Sequence, residues 1–229
     1  MTRAAPPPRL LFVSGLKREA ALAAGPDALA VCGGGEVLAE RLAAAPPSIR
    51  LAISFGLCGG LDATLESGDV VVATRALGGG ESLPADEAVA RALADRLQAA
   101  GERVRLGAVA DAAAPVLTRA AKAELRRVSE AIAVDMESAA AARFAARRGA
   151  RFAVLRVVAD PAGRDLPALA AHAVRPDGSV DYAAVLLGLC RAPWQAPALV
   201  ATARDSAAAF AALGRCRRRP ALFLGLADL

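Results

Sequence analysis

Residues 51–61, Leu-Ala-Ile-Ser-Phe-Gly-Leu-Cys-Gly-Gly-Leu, decide how the rest of the chain is read. Residues 51–56 are apolar toward both faces, which suits a strand covered on both sides in a parallel sheet. The glycines that follow place a loop at the strand's carboxyl end, where open α/β sheets bind ligands. The same signature recurs outward from this point, in RLLFVSG (9–15), LAVCGGG (29–35), GDVVVATR (68–75), VRLGAVA (104–110) and FAVLRVVAD (152–160). Helical stretches fall between them: 36–45, stopped by Pro46 and Pro47, then 86–100, 118–129 and 137–148. Thr118 suits a helix cap and Gly149 a helix stop. A glycine-rich break covers 78–80, and a short apolar stretch, 131–134, precedes the 137–148 helix. Strands alternating with helices predict an α/β layer fold with a mainly parallel sheet.

The tail changes character from about residue 166, with helices expected over 166–171, 181–190 and 197–213 and a basic run of Arg215, Arg217, Arg218 and Arg219. Its 229 residues suit a single domain over 1–229, with a core over 9–163 and a helical extension over 164–229. At 55% hydrophobic and 22% charged residues, a disordered chain is excluded. Four scattered cysteines without a CxxC pair, and His172 as the sole histidine, argue against a zinc site or a histidine base. They read as reduced thiols. No apolar run reaches the length of a spanning helix, so a cytoplasmic protein is expected. The net charge of +5 raises nucleic-acid binding, but aromatics are only 3% and no basic stripe lies along a binding element.

The segments after each strand hold the candidate chemistry. They are Gly15 to Glu19, Gly33 to Gly35, Gly56 to Gly60, Val134 to Ser138, and Asp160 with Pro161. Glycine turns let backbone N–H groups approach an anion or a sugar. Gly33 to Gly35 can equally be a tight strand-to-helix turn. Neither GxGxxG nor GxxxxGK[ST] is present, which argues against a dinucleotide site and a P-loop. Asp160 can be a turn residue or a buried acid, Glu137 a helix-opening charge or a ligand, and Glu19 a solvated helix residue or a base. Met136, by spacing alone, reads as core.

Four motifs in register then carry a resemblance: Gly56 to Leu61, Glu66 to Val71, Val134 to Ser138, and Arg156 to Asp160. Together they resemble the purine nucleoside phosphorylase and methylthioadenosine/S-adenosylhomocysteine nucleosidase superfamily. FVSGLKREAAL at the start and RVVADPAGR with RPDGSVDYAAVL near the end are most similar to its hopanoid-associated phosphorylase branch. The resemblance implies a three-layer α/β/α sandwich, cleavage of an N-glycosidic bond, and release of adenine from adenosylhopane. It makes Asp160 the acid at purine N7, Glu137 the ribose grip, Met136 the residue packed on the sugar, and Glu19 the acid that orients a water.

Gly59, Leu57 and Phe55 are then expected to line the substrate, and Leu57 and Phe55 to suit a large apolar 5′ group. Gly15, Lys17, Arg18 and Arg75 are the candidates for phosphate. No metal or organic cofactor is implied; inorganic phosphate is a co-substrate if the enzyme is a phosphorylase. Three departures stand out. Leu57 replaces a Ser or Thr, Ser54 and Phe55 stand where some phosphorylases have a phosphate-binding Arg, and Ala159 replaces a Ser that supports the catalytic Asp. These favour water as an alternative nucleophile and leave a non-catalytic nucleoside binder as a third reading. The expected partners are a small, lipid-linked nucleoside and further copies of the chain, with no nucleic acid. The tail helices and Arg215 to Arg219 suggest peripheral contact with an anionic inner membrane surface.

Overall fold

A computed structural model describes residues 7–229. Eight strands form one mixed sheet, β1 (Leu10–Ser14), β2 (Ala28–Cys32), β3 (Leu51–Gly60), β4 (Val70–Gly78), β5 (Glu81–Pro84), β6 (Val104–Asp111), β7 (Ala133–Asp135) and β8 (Arg151–Asp160). Parallel pairing joins β1 to β2 and β3, β3 to β8, β4 to β6, and β6 to β7. Antiparallel pairing joins β3 to β7, β4 to β5, and β4 to β8. The pairs β3–β8–β4–β6–β7–β3 close on themselves, so the sheet curls where its longest strands meet.

The period of two along each strand divides the core. Phe12, Ile53, Phe55, Val72 and Leu155 face one side, under α1 (Lys17–Ala23), α3 (Glu87–Ala99) and α7 (Ala196–Arg217). Leu11, Val13, Ala52, Val71 and Val154 face the other, under α2 (Gly35–Ala43) and α5 (Ser138–Arg148). The result is an α/β/α sandwich. Alternation is weak in the sequence because both faces are covered. Two further helices, α4 (Arg119–Ser129) and α6 (Tyr182–Arg191), lie near the cavity described below, and the short α8 (Pro220–Phe223) follows α7. Thr118 caps α4 and the left-handed Gly149 ends α5, as the sequence predicts.

Three features differ from the sequence reading. First, residues 56–60 are strand rather than loop, because β8 and β7 hydrogen-bond this stretch on its two sides. Second, the glycine break at 78–80 is a hairpin into β5. Gly79 and Gly80 have φ of +63° and +77°, the two left-handed positions that a tight two-residue hairpin turn requires. Third, the end of the tail is part of the core. Ala209, Ala212, Leu213, Cys216, Leu222, Phe223 and Leu226 are buried in the same cluster as Phe12 and Phe55. Phe12, Phe55 and Phe223 meet edge to face, with centroids 5.1–6.5 Å apart. No single helix among the described residues is long and apolar enough to cross a membrane.

Candidate active site

A cavity of about 710 Å³ lies beyond the ends of β1, β2, β3, β7 and β8. It falls within the roughly 300–1,000 Å³ typical of small-ligand sites. Four buried acids line it, from three distant chain segments: Glu19 on α1, Asp135 and Glu137 at the β7–α5 connection, and Asp160 at the end of β8.

Glu19 is held by backbone. Its Oε2 accepts from the N–H of Gly15 (3.0 Å) and Leu16 (2.8 Å), and its Oε1 from that of Leu57 (2.8 Å). An ionised carboxylate has about four acceptor positions, so one remains open. A Cβ on Gly56 would sit 2.6–2.8 Å from this carboxyl group, so only glycine lets β3 pass there. Burial pushes the Glu19 carboxyl above its ordinary range, against the pull of Arg156 and of the three N–H groups.

Glu137 ends in a network under the cavity. Arg156, fully buried on β8, donates to Glu137 Oε2 (3.0 Å), Asp135 Oδ2 (2.8 Å), Ser54 Oγ (2.6 Å) and the Leu57 carbonyl (3.1 Å). Ser138 Oγ meets both Ser54 Oγ and Asp135. Burial, with Asp135 and Glu19 nearby, pushes the Glu137 carboxyl up to about 8, while Arg156 opposes. Its Oε1 occupies the space a Cβ on Gly15 would need, 2.5 Å away.

Asp160 stands on the far side. Lys122 Nζ on α4, itself wholly buried, lies 2.7 Å from Asp160 Oδ2 and also donates to the carbonyls of Pro161 and Arg164. This ammonium supplies the support that Ala159 cannot. Asp160 Oδ1 is buried, with no hydrogen-bond partner among the described residues. Burial raises the Asp160 carboxyl above its ordinary range, and Lys122 opposes it. The backbone of Gly56 abuts Glu19 and that of Gly59 abuts Asp160. Three residues of extended strand separate them, roughly 10 Å.

Of the residues singled out in the sequence, Asp160, Glu19, Glu137, Met136, Gly59, Leu57 and Gly15 line this cavity. Met136 is 41% exposed rather than core. Four others lie elsewhere. Phe55 is fully buried against Phe12 and Phe223, two residues before Leu57 on the same side of β3, where the aromatic cluster covers the strand. Lys17 is bonded to Asp177, Arg18 lies over the Phe210 ring, and Arg75 is exposed on β4. Sequence reasoning missed Lys122 and Arg156 as site residues. One of only two lysines in an otherwise arginine-based chain, and an arginine inside an apolar strand, were the available signals.

Among the described residues no group of His, Cys, Asp and Glu is arranged to hold a metal ion. Three of the four arginines of the basic run are engaged: Arg215 and Arg219 meet Glu102, and Arg217 donates to the Ala23 carbonyl beneath Phe12 and Phe223.

Fold and cavity together define an α/β/α protein with a ligand-sized pocket at its sheet edge. Residues 21–191 match the sequence profile of the phosphorylase superfamily, and the chain belongs to that superfamily. No curated protein matches it. Among solved structures it is similar to a Helicobacter pylori methylthioadenosine nucleosidase (MTAN) mutant holding 5′-methylthioadenosine, at 14% identity and TM-score 0.61, over 68% of this chain and 87% of that one. It is also similar to Helicobacter pylori futalosine hydrolase, at 14% identity and TM-score 0.60, over 68% and 86% of the two chains. A third is the Plasmodium knowlesi homologue of the P. falciparum PNP, at 15% identity and TM-score 0.54, over 68% and 78%.

Proposed function

We propose that the protein hydrolyses the N-glycosidic bond of a 5′-substituted adenosine, releasing the base. One observation carries this reading: four buried acids line one cavity, with Glu19 held by backbone N–H groups, Asp135 and Glu137 by Arg156, and Asp160 by Lys122. In the proposed reaction the C1′–N9 bond breaks and its electron pair goes to the purine. Asp160 gives its proton to the purine ring, a step of the kind that supplies on the order of 10²–10⁴-fold. A water bonded to the open acceptor of Glu19 attacks C1′ and gives Glu19 its proton. Glu137 accepts from the ribose hydroxyls, and Met136 packs on the sugar. Lys122 is a positioning residue that holds the Asp160 carboxyl at the end of β8.

Water is favoured over phosphate by the charges at the cavity. Arg156 is bonded to Asp135 and Glu137, Lys122 to Asp160, and Arg175 to Asp181. A phosphate dianion would find no free cation among the described residues that line the cavity. The apolar mouth, formed by Leu57, Val116, Met136 and Val174, favours a large apolar 5′ substituent, of which the hopane of adenosylhopane is one case.

The test measures base release from 5′-methylthioadenosine, adenosine and a 5′-alkyl adenosine, with and without phosphate, in 18O-labelled water. Free sugar carrying the label, at a rate independent of phosphate, is the expected result. Sugar 1-phosphate would overturn hydrolysis. No release from any of the three would overturn the reading as a whole.

A further inference from the structure

α6 is apolar on both its inner and its solvent-facing sides. Tyr182, Ala183, Leu186, Leu187 and Cys190 recur at helical spacing and are all exposed, while no residue of α6 is buried. Tyr182 is 73%, Leu186 63% and Leu187 54% exposed. The chain then turns through 116° into α7, and Trp194, 75% exposed, stands in that elbow. Val200 on α7 is exposed as well. Between Asp181 and Asp205 the sequence holds two charges, Arg191 and Arg204, both basic and both exposed. The acids bounding the segment are neutralised, Asp181 by Arg175 and Asp205 by Arg164. The patch also reaches the cavity, for the half-exposed Val174 belongs to both, and Thr202 and Ser206 of α7 line the cavity wall.

Two aromatic residues with polar tips, aliphatic side chains and an all-basic charge set make the composition of a surface that lies in the headgroup region of an anionic bilayer. A water-facing helix has no use for this arrangement, and a self-interface has no use for an acid-free basic rim. We propose that the α6–α7 elbow, rather than the Arg215 to Arg219 run, docks the protein on an anionic lipid surface and turns the cavity mouth toward it. This concerns where the molecule sits, and it stands apart from the cleavage reading.

The test is sedimentation of the full-length protein with vesicles of phosphatidylcholine alone and of phosphatidylcholine with phosphatidylglycerol. Binding to the anionic vesicles that weakens with salt is expected. The double variant Leu187→Glu, Trp194→Glu should weaken it by about tenfold or more, since each side chain withdraws from the apolar layer. Arg191→Glu with Arg204→Glu should remove the preference for the anionic lipid. Circular dichroism confirms that each variant is folded. Wild type that stays in the supernatant with both vesicle types overturns the proposal. So does a wild-type dimer in light scattering that the Leu187→Glu, Trp194→Glu variant turns into a monomer with unchanged vesicle binding, because the face would then be a self-interface. Neither readout requires turnover, so a failed activity assay leaves this result intact.

Discussion

Asp160 and Lys122 form a pair whose two members make different predictions. Asp160→Asn keeps the side-chain volume and removes the transferable proton, so base release should fall by about 10²-fold or more with an unchanged circular dichroism spectrum. Lys122→Met removes the group that holds the Asp160 carboxyl down against burial, so the Asp160 carboxyl should titrate higher still. The rate should fall while the alkaline limb of the pH–rate profile moves to higher pH. A merely structural lysine would lower the rate without moving that limb. The reaction needs Glu19 ionised and Asp160 protonated. Activity therefore declines as pH falls through the raised Glu19 value and as pH rises through the raised Asp160 value. Both limbs of a kcat profile should lie above the ordinary carboxylate range. At Gly56, a methyl group has no room beside the Glu19 carboxyl. Gly56→Ala should cost about 1–3 kcal/mol in urea unfolding and lower turnover further by displacing Glu19.

At the level of elements, β8 supplies both the acid and the arginine that organises the site. Arg156 is wholly buried and neutralises two acids on the β7–α5 connection, Asp135 and Glu137. Removing one member of a buried ion network leaves uncompensated charge behind, at a cost of about 3–5 kcal/mol. Arg156→Met should therefore lower stability by that amount in urea. The sign with pH is set by Glu137, whose folded carboxyl stays protonated well above its unfolded value. The stability this gives is present at low pH and is lost as pH rises toward about 8. Without Arg156 the loss should extend to higher pH and be larger, since the charged form then has one partner fewer.

For the whole molecule, the chain end is core. Phe223 packs edge to face on Phe12, with Arg217 over both rings, from a position more than sixty residues past β8. Phe223→Ala should cost about 3–5 kcal/mol, measurable as a lower urea midpoint. Truncation before residue 209 should abolish cooperative unfolding, because it removes the seven buried residues that cover one face of the sheet.

The apolar runs and their alternation with helices determined the layer architecture from sequence alone, because a strand buried on both faces must be apolar throughout. The positions of Glu19, Glu137 and Asp160 were likewise legible, since each follows a strand. Local pattern could not show that residues 56–60 remain strand, a matter of what lies on either side of them. Nor could it show that Phe55 is sealed while Leu57, two residues on and on the same side of β3, reaches the cavity, which depends on how far the Phe12–Phe223 cluster covers the strand. Lys17, Arg18 and Arg75 read as free cations in one dimension and are taken up by Asp177, Phe210 and the outer face of β4 in three. The partners of the acids, Arg156 and Lys122, lie about twenty to forty residues away along the chain. Only the folded sheet brings such groups within bonding distance, because a charge is admitted to a low-dielectric interior only where the tertiary structure supplies its counterpart.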